Sequence, residues 1–207
     1  MSNPCRVNNG NCSHLCLLST NTKGFSCACS TGVKLISEFQ CAEGPQNVVF
    51  LVQRTQISRI SLDSPDYTSF PLSLGRVKSA ISIDYDPVED FIYWSDEEQR
   101  VIKKSRQDGT STTDVINSEI KQPDGLAVDW IARNLHWTDA GSDRIEVCRL
   151  NGNYRRVLIN DNLEEPRGIA VAPTLGWMFW SDWGKKPKIE RASLDGTERV
   201  VLISDDL

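Results

Sequence analysis

Three tryptophans, Trp94, Trp137 and Trp180, recur every 43 residues, each inside a near-copy of one phrase. The phrases are Phe91-Ile-Tyr-Trp-Ser-Asp96, Asn134-Leu-His-Trp-Thr-Asp139 and Trp177-Met-Phe-Trp-Ser-Asp182. A short unit repeated at this interval cannot bury its apolar face alone and must stack on its neighbours. A period in the forties with strand patterning marks one four-stranded blade per repeat of a β-propeller. Such folds present a broad rim to partners, which turns the expectation from catalysis toward recognition.

Laid over one another, the repeats read as four strands each. Ala80–Asp84, Gly125–Asp129 and Gly168–Ala172 are short, apolar and rich in Ala and Gly, as the crowded inner edge of a blade requires. The Trp phrase is the second strand. Val101–Arg106, Arg144–Arg149 and Lys188–Ser193 are the third, with partly alternating polarity. They run into Asp108-Gly109, Asn151-Gly152 and Asp195-Gly196, dipeptides that favour tight hairpins. Thr112–Asn117, Tyr154–Asn160 and Glu198–Ser204 are the outer strands. A weaker copy over Asn47–Ser73 has the third-strand segment Ile57–Asp63 but lacks the Trp phrase and an inner strand. The count is about three and a half blades, an open arc where closed propellers have 4 to 8. The arc is expected to be a piece of a six-bladed parent, with the remaining blades outside this chain. The alternative is a half-ring that dimerises.

Six of the seven cysteines lie within the first 41 residues, in the pattern Cys5-x6-Cys12-x3-Cys16-x10-Cys27-x-Cys29-x11-Cys41. An even set packed so densely reads as a disulfide framework in a module too small for its own core, and implies an oxidising compartment. Six cysteines allow 15 pairings. A zinc site is the rival reading, disfavoured because no Cys-x2-Cys pair is present and His14 stands alone. The seventh, Cys148, aligns with Ser105 and Ala192 of the sister repeats and reads as a small buried thiol, or else as a cross-linking one.

The cysteine-rich segment resembles an EGF-like domain, with Phe25, the Cys27-x-Cys29 step and Gly32 where that family keeps an aromatic, its Cys-x-Cys and a turn glycine. The resemblance implies bonds Cys5–Cys16, Cys12–Cys27 and Cys29–Cys41. Calcium-binding members carry acids before the first cysteine; Ser2-Asn3-Pro4 stands there instead, so no calcium is expected. Asn11-Cys12-Ser13 is a glycosylation sequon, expected to stay unmodified because its middle residue is disulfide-bonded.

Together, the EGF-like module and the Trp-Ser/Thr-Asp repeats resemble the YWTD, or low-density lipoprotein receptor class B, propellers of the lipoprotein receptor-related proteins. Pro123–Leu135 and Ile60–Tyr67 resemble the second propeller of the Wnt co-receptor branch. The fold expected is therefore all-β, with an EGF-like domain at 1–43 and a partial YWTD propeller at 44–207. The resemblance implies an ectodomain segment of a single-pass receptor at the outer face of the plasma membrane. Its partners would be secreted proteins, Wnt ligands or their antagonists. An endocytic module taking up lipoprotein or matrix protein is the alternative, and a propeller hydrolase a remote one.

The resemblance implies that Asp96, Asp139 and Asp182 hydrogen-bond backbone between blades, and Trp94, Trp137 and Trp180 read as wedges between them. One acid per blade is also the wrong arrangement for catalysis, which needs a single constellation. Arg167 and Trp183 fall at Pro-Arg and Asp-Trp-Gly positions that line the family's ligand-binding face, and rim packing is their bland reading. Glu98, Arg100 and Asp124 join them as candidate partner contacts in a mixed border with Glu97 and Asp143. The family's peptide-binding propeller places acids where this chain has Arg100 and Gly141, so binding of the short Asn-containing antagonist motif is not expected to transfer. His136 replaces the motif tyrosine and reads as a buried histidine or a pH sensor. Asp84, Asp86 and Asp90 hint at a cation site but flank a strand end and a turn.

No catalytic motif and no phosphate-cradling loop occurs, so no enzyme activity and no cofactor or metal are expected. The formal charge of −5, with acids and bases mixed, gives no nucleic-acid surface. No apolar run approaches the roughly 20 residues needed to span a bilayer, and no signal peptide precedes Cys5. Membrane attachment is expected from the parent receptor.

Overall fold

The Trp phrases of the first two complete blades are buried on both faces, where alternation loses its meaning, whereas that of the third alternates between buried and half-buried residues. The computed structural model describes residues 3–204. β1 (Leu15–Leu18) and β2 (Phe25–Ala28) form a two-stranded hairpin. Two short 3-10 turns, Pro4–Arg6 and Asn8–Asn11, precede it. Disulfides join Cys5 to Cys16, Cys12 to Cys27 and Cys29 to Cys41.

Four antiparallel sheets follow. β3 (Val48–Gln53), β4 (Gln56–Ser61) and β5 (Ser69–Pro71) make a three-stranded one. The first complete blade is β6 (Ala80–Asp86), β7 (Phe91–Asp96), β8 (Val101–Arg106) and β9 (Thr113–Ile116). The second is β10 (Pro123–Asp129), β11 (Asn134–Asp139), β12 (Arg144–Arg149) and β13 (Arg156–Ile159). The third is β14 (Pro166–Ala172), β15 (Trp177–Asp182), β16 (Lys188–Ser193) and β17 (Val200–Ile203). Strands pair in sequence order within every sheet, as in propeller blades. The chain divides into two compact units: one takes in the chain through Leu51 with Ser58–Pro71, the other Val52–Ile57 and the chain from Leu72 on.

Between blades the apolar faces interlock. Tyr93 and Ile102 of the first blade meet Leu126 and Trp137 of the second. Ile145 of the second meets Met178 and Trp180 of the third. Trp94 and Trp137 are fully buried and Trp180 is 1% exposed. Truncating such a side chain to Ala costs about 3–5 kcal/mol. The third blade shows what stacking contributes: Ile203 is 48% exposed where its sister Ile159 is 4% exposed.

Five strand starts in the complete blades differ from the sequence pattern, in two ways. β10 and β14 begin two residues earlier than expected, at Pro123 and Pro166, across a register shift that lets proline occupy the first strand position. β9, β13 and β17 begin one to two residues later. Ser111, Tyr154 and Glu198, at equivalent positions, hold left-handed φ of 57°, 59° and 54° and extend the turn.

Candidate functional site

The end of each blade where the second strand stops is built around its motif aspartate. The Asp139 carboxylate accepts the backbone N–H groups of Lys121 (2.8 Å), Gln122 (2.9 Å) and Gly141 (3.0 Å). Asp96 accepts those of Lys78, Ser79 and Gln99. Asp182 accepts that of Glu164. Each acid thereby ties the segment arriving from the previous blade to the end of its own second strand. Burial works against ionisation of Asp96, but the amides of Lys78, Gln99 and Ser79 outweigh it and hold the carboxyl below its usual range. At Asp182 burial wins over the Glu164 amide and the carboxyl is raised.

The hydroxyl between Trp and Asp stitches one blade to the next. Ser95 Oγ donates to the Asp124 carbonyl at 2.7 Å, and Thr138 Oγ1 to the Arg167 carbonyl at 2.5 Å. These hydroxyls escaped the sequence reading, although their fixed place in the phrase was a usable signal. Arg155 and Arg199 escaped it too. Each guanidinium lies over a motif indole, 5.4 Å from Trp137 and 5.5 Å from Trp180, and chelates a buried glutamate, Glu146 and Glu190. The first blade substitutes a Lys103–Asp114 pair.

These staples set out the candidate contact residues. Arg167 and Asp124 come together: Arg167 Nη1 donates to Asp124 Oδ2 at 2.8 Å, and Nη2 donates to Glu165 Oε2 at 2.9 Å. The Asp124 carboxylate first, and Glu165 after it, hold the Arg167 proton more tightly than usual against the opposing effect of burial. Arg167 is half-buried and spends its charge within the protein. Glu98 and Arg100 lie elsewhere, in a groove of about 460 Å³ shared with Ser79, Glu97, Lys121 and Gln122. Glu98 pairs there with Lys78 at 2.9 Å.

Trp183 stands apart at 70% exposure. Its loop is tied down: Trp183 N–H donates to the Glu165 carbonyl at 3.1 Å, and Lys185 N–H to Glu164 Oε2 at 2.8 Å. Gly184 between them admits no side chain, since a Cβ there would lie 2.1 Å from Glu164 Cβ. Beside the indole is a depression of about 420 Å³ lined by Ser181, Asp182, Pro187, Lys188 and Ile189. Lys185 and Lys186 are exposed and make no ion pair among the described residues. The acids flagged as a possible cation site are each engaged by protein. Asp84 accepts Val128 N–H, Asp86 takes the Arg133 guanidinium, and Asp90 accepts the Tyr85 hydroxyl.

The profile of the low-density lipoprotein receptor repeat class B matches residues 90–130, 133–171 and 176–207. Low-density lipoprotein receptor-related protein 5 of Mus musculus is 51% identical over 133 residues, 64% of this chain and 8% of that protein. Low-density lipoprotein receptor-related protein 4 of Homo sapiens is 48% identical over 129 residues, 62% of this chain and 7% of that one. The chain thus spans under a tenth of the curated relatives it matches. Among solved structures, a chain of a nidogen/laminin complex superposes with a TM-score of 0.73 and 32% identity, over 77% of this chain and 62% of its own. Among the described residues no helix is long and apolar enough to cross a membrane.

Proposed function

The chain belongs to the low-density lipoprotein receptor class B repeat family, on its receptor-related branch, and from that premise we propose that it captures a secreted protein on the rim of its blades. The partner in this reading is a Wnt ligand or an antagonist of one. The segment works outside the cell, as part of a receptor anchored elsewhere, and carries out no chemistry on what it binds. One observation carries the site: an indole 70% exposed, on a loop that hydrogen bonds and a glycine hold rigid. Rigid exposed tryptophan costs little ordering entropy on binding and ranks among the strongest interface residues. With Lys185 and Lys186 alongside, the loop suits a partner surface that pairs an apolar side chain with acidic ones. Arg167, bridged to Asp124 and Glu165, contributes by shaping the rim. Glu98, Arg100 and Asp124 line its border.

The test is binding of immobilised Wnt ligand to the wild type, Trp183→Ala and Lys185→Glu/Lys186→Glu. Loss of an anchoring tryptophan costs about 2 kcal/mol, roughly thirtyfold in Kd, and the charge reversal slows association. Unchanged affinity in both variants removes this site. A matrix-protein partner is the second reading, favoured by the 32% identity to a chain from a nidogen/laminin complex. Binding of laminin but not of Wnt would select it.

A further inference from the structure

The sequon Asn11-Cys12-Ser13 lies at the end of the Asn8–Asn11 turn, and two asparagines of that turn are used differently. Asn9 is structural, its Nδ2 donating to the carbonyls of Cys12 (3.0 Å) and His14 (2.9 Å). Asn11 is exposed, and its carboxamide makes no hydrogen bond among the described residues. Its backbone sits at φ 63°, a left-handed conformation that asparagine tolerates. We propose that Asn11 carries an N-linked glycan.

The objection from the sequence was that Cys12 is bonded. The folded module makes that objection stronger, because Cys12 is buried in its bond to Cys27 and the Ser13 hydroxyl accepts the Cys41 N–H at 2.8 Å. A folded sequon so engaged cannot open to a transferase. Both engagements, however, depend on residues made later: Cys27 lies 15 positions beyond Cys12, and Cys41 lies 28 beyond Ser13. A chain entering an oxidising compartment amino end first presents the sequon before those partners exist. In the transfer, Asn11 Nδ2 attacks the anomeric carbon of a lipid-diphosphate-linked oligosaccharide. A C–N bond forms, the C–O bond to the diphosphate breaks, the lipid diphosphate leaves with the electron pair, and Nδ2 gives up one proton. No oxidant or reductant is involved. Once the disulfides close, Asn11 remains on the surface, where a glycan displaces nothing.

The inference rests on secretory passage, which the experiment supplies through a leader fused ahead of the full chain in a eukaryotic host. Its failure is therefore separate from failure of the receptor reading. Secreted, disulfide-intact protein is digested with peptide N-glycosidase in heavy-oxygen water and mapped by mass spectrometry. The expected result is a mass loss of one glycan with labelled aspartate at position 11. That loss disappears in Asn11→Gln, and the occupied fraction rises in Ser13→Thr. Because Ser13→Ala removes the acceptor for Cys41 and would disturb folding, Asn11→Gln is the decisive negative. Unmodified Asn11 in both wild type and Ser13→Thr overturns the proposal, as does a glycan confined to protein with wrong disulfides.

Discussion

At the residue scale, a buried polar group is worth what its partners make of it, and Asp139 and His136 are opposite cases. Asp139 is fully buried and satisfies three backbone N–H groups. Asp139→Ala orphans all three, at about 1–3 kcal/mol each, a large share of the 5–15 kcal/mol that stabilises a typical domain. Secreted yield should collapse for Ala and fall partway for Asn; normal secretion of Asp139→Ala would refute the staple. His136 is 1% exposed and neither ring nitrogen has a partner among the described residues. In the sister repeat Tyr93 spans the same gap, its hydroxyl donating to the Leu150 carbonyl at 3.2 Å. His136→Tyr should regain that bond toward Leu194 and raise stability by about 1 kcal/mol. Burial, opposed by the Asp129 charge, lowers the His136 pKa to about 4 from 6.5. Its contribution is then complete above pH 6.5 and drains away as pH falls toward 4, because the unfolded chain takes up the proton first. The thermal midpoint of the wild type should drop more steeply over that window than that of His136→Tyr, and parallel curves would sink the assignment.

At the scale of elements, the Asn151-Gly152 turn shows what a strand pattern can and cannot disclose. Its positive φ, 85°, follows from the dipeptide alone. The second constraint does not: a Cβ on Gly152 would lie 2.2 Å from the Val115 carbonyl oxygen on the neighbouring blade. Gly152→Ala should therefore cost well over the ~1 kcal/mol that left-handed backbone alone costs. The loss should appear as faster amide exchange in β9 as well as in β12 and β13. Exchange confined to the turn would mean that the seam does not depend on this contact. The same divide runs through the candidate site. Spacing picked out the Trp phrases and the third strands, because each is a local pattern repeated in register, and the cysteine-rich module, because its whole pattern lies in one short segment. It missed Thr138 bonding across to Arg167, the Arg155–Glu146 pair over Trp137, and the absorption of the Arg167 charge by Asp124. The first two recur at equivalent places, as Ser95 to Asp124 and Arg199 to Glu190, so the repeat did carry a trace of them; the third depends on which residue of the next blade falls opposite, and no period encodes that.

For the whole molecule, the covalent staples are all in one place and the stacked sheets have none. The three disulfides close loops with separations of 11, 15 and 12 residues, each worth about 3 kcal/mol in chain entropy, in a module with little apolar core of its own. The blades hold by burial instead, and they enclose a reporter. Cys148 is 2% exposed, and burial above all pushes its thiol up to about 12, so in the native state it supplies neither access nor thiolate. Treatment with a mild reductant and then iodoacetamide at pH 8 should add six alkyl groups to each chain, on the cysteines from Cys5 to Cys41, while Cys148 stays unmodified. Amide protection in β6–β16 should persist while that of β1 and β2 disappears. Cys148 should react only when urea melts the blades, and its rate should track the Asp139→Ala and Gly152→Ala destabilisations. Loss of β-sheet protection and a seventh alkyl group on reduction alone, without urea, would show that the stacked sheets lean on the disulfides after all.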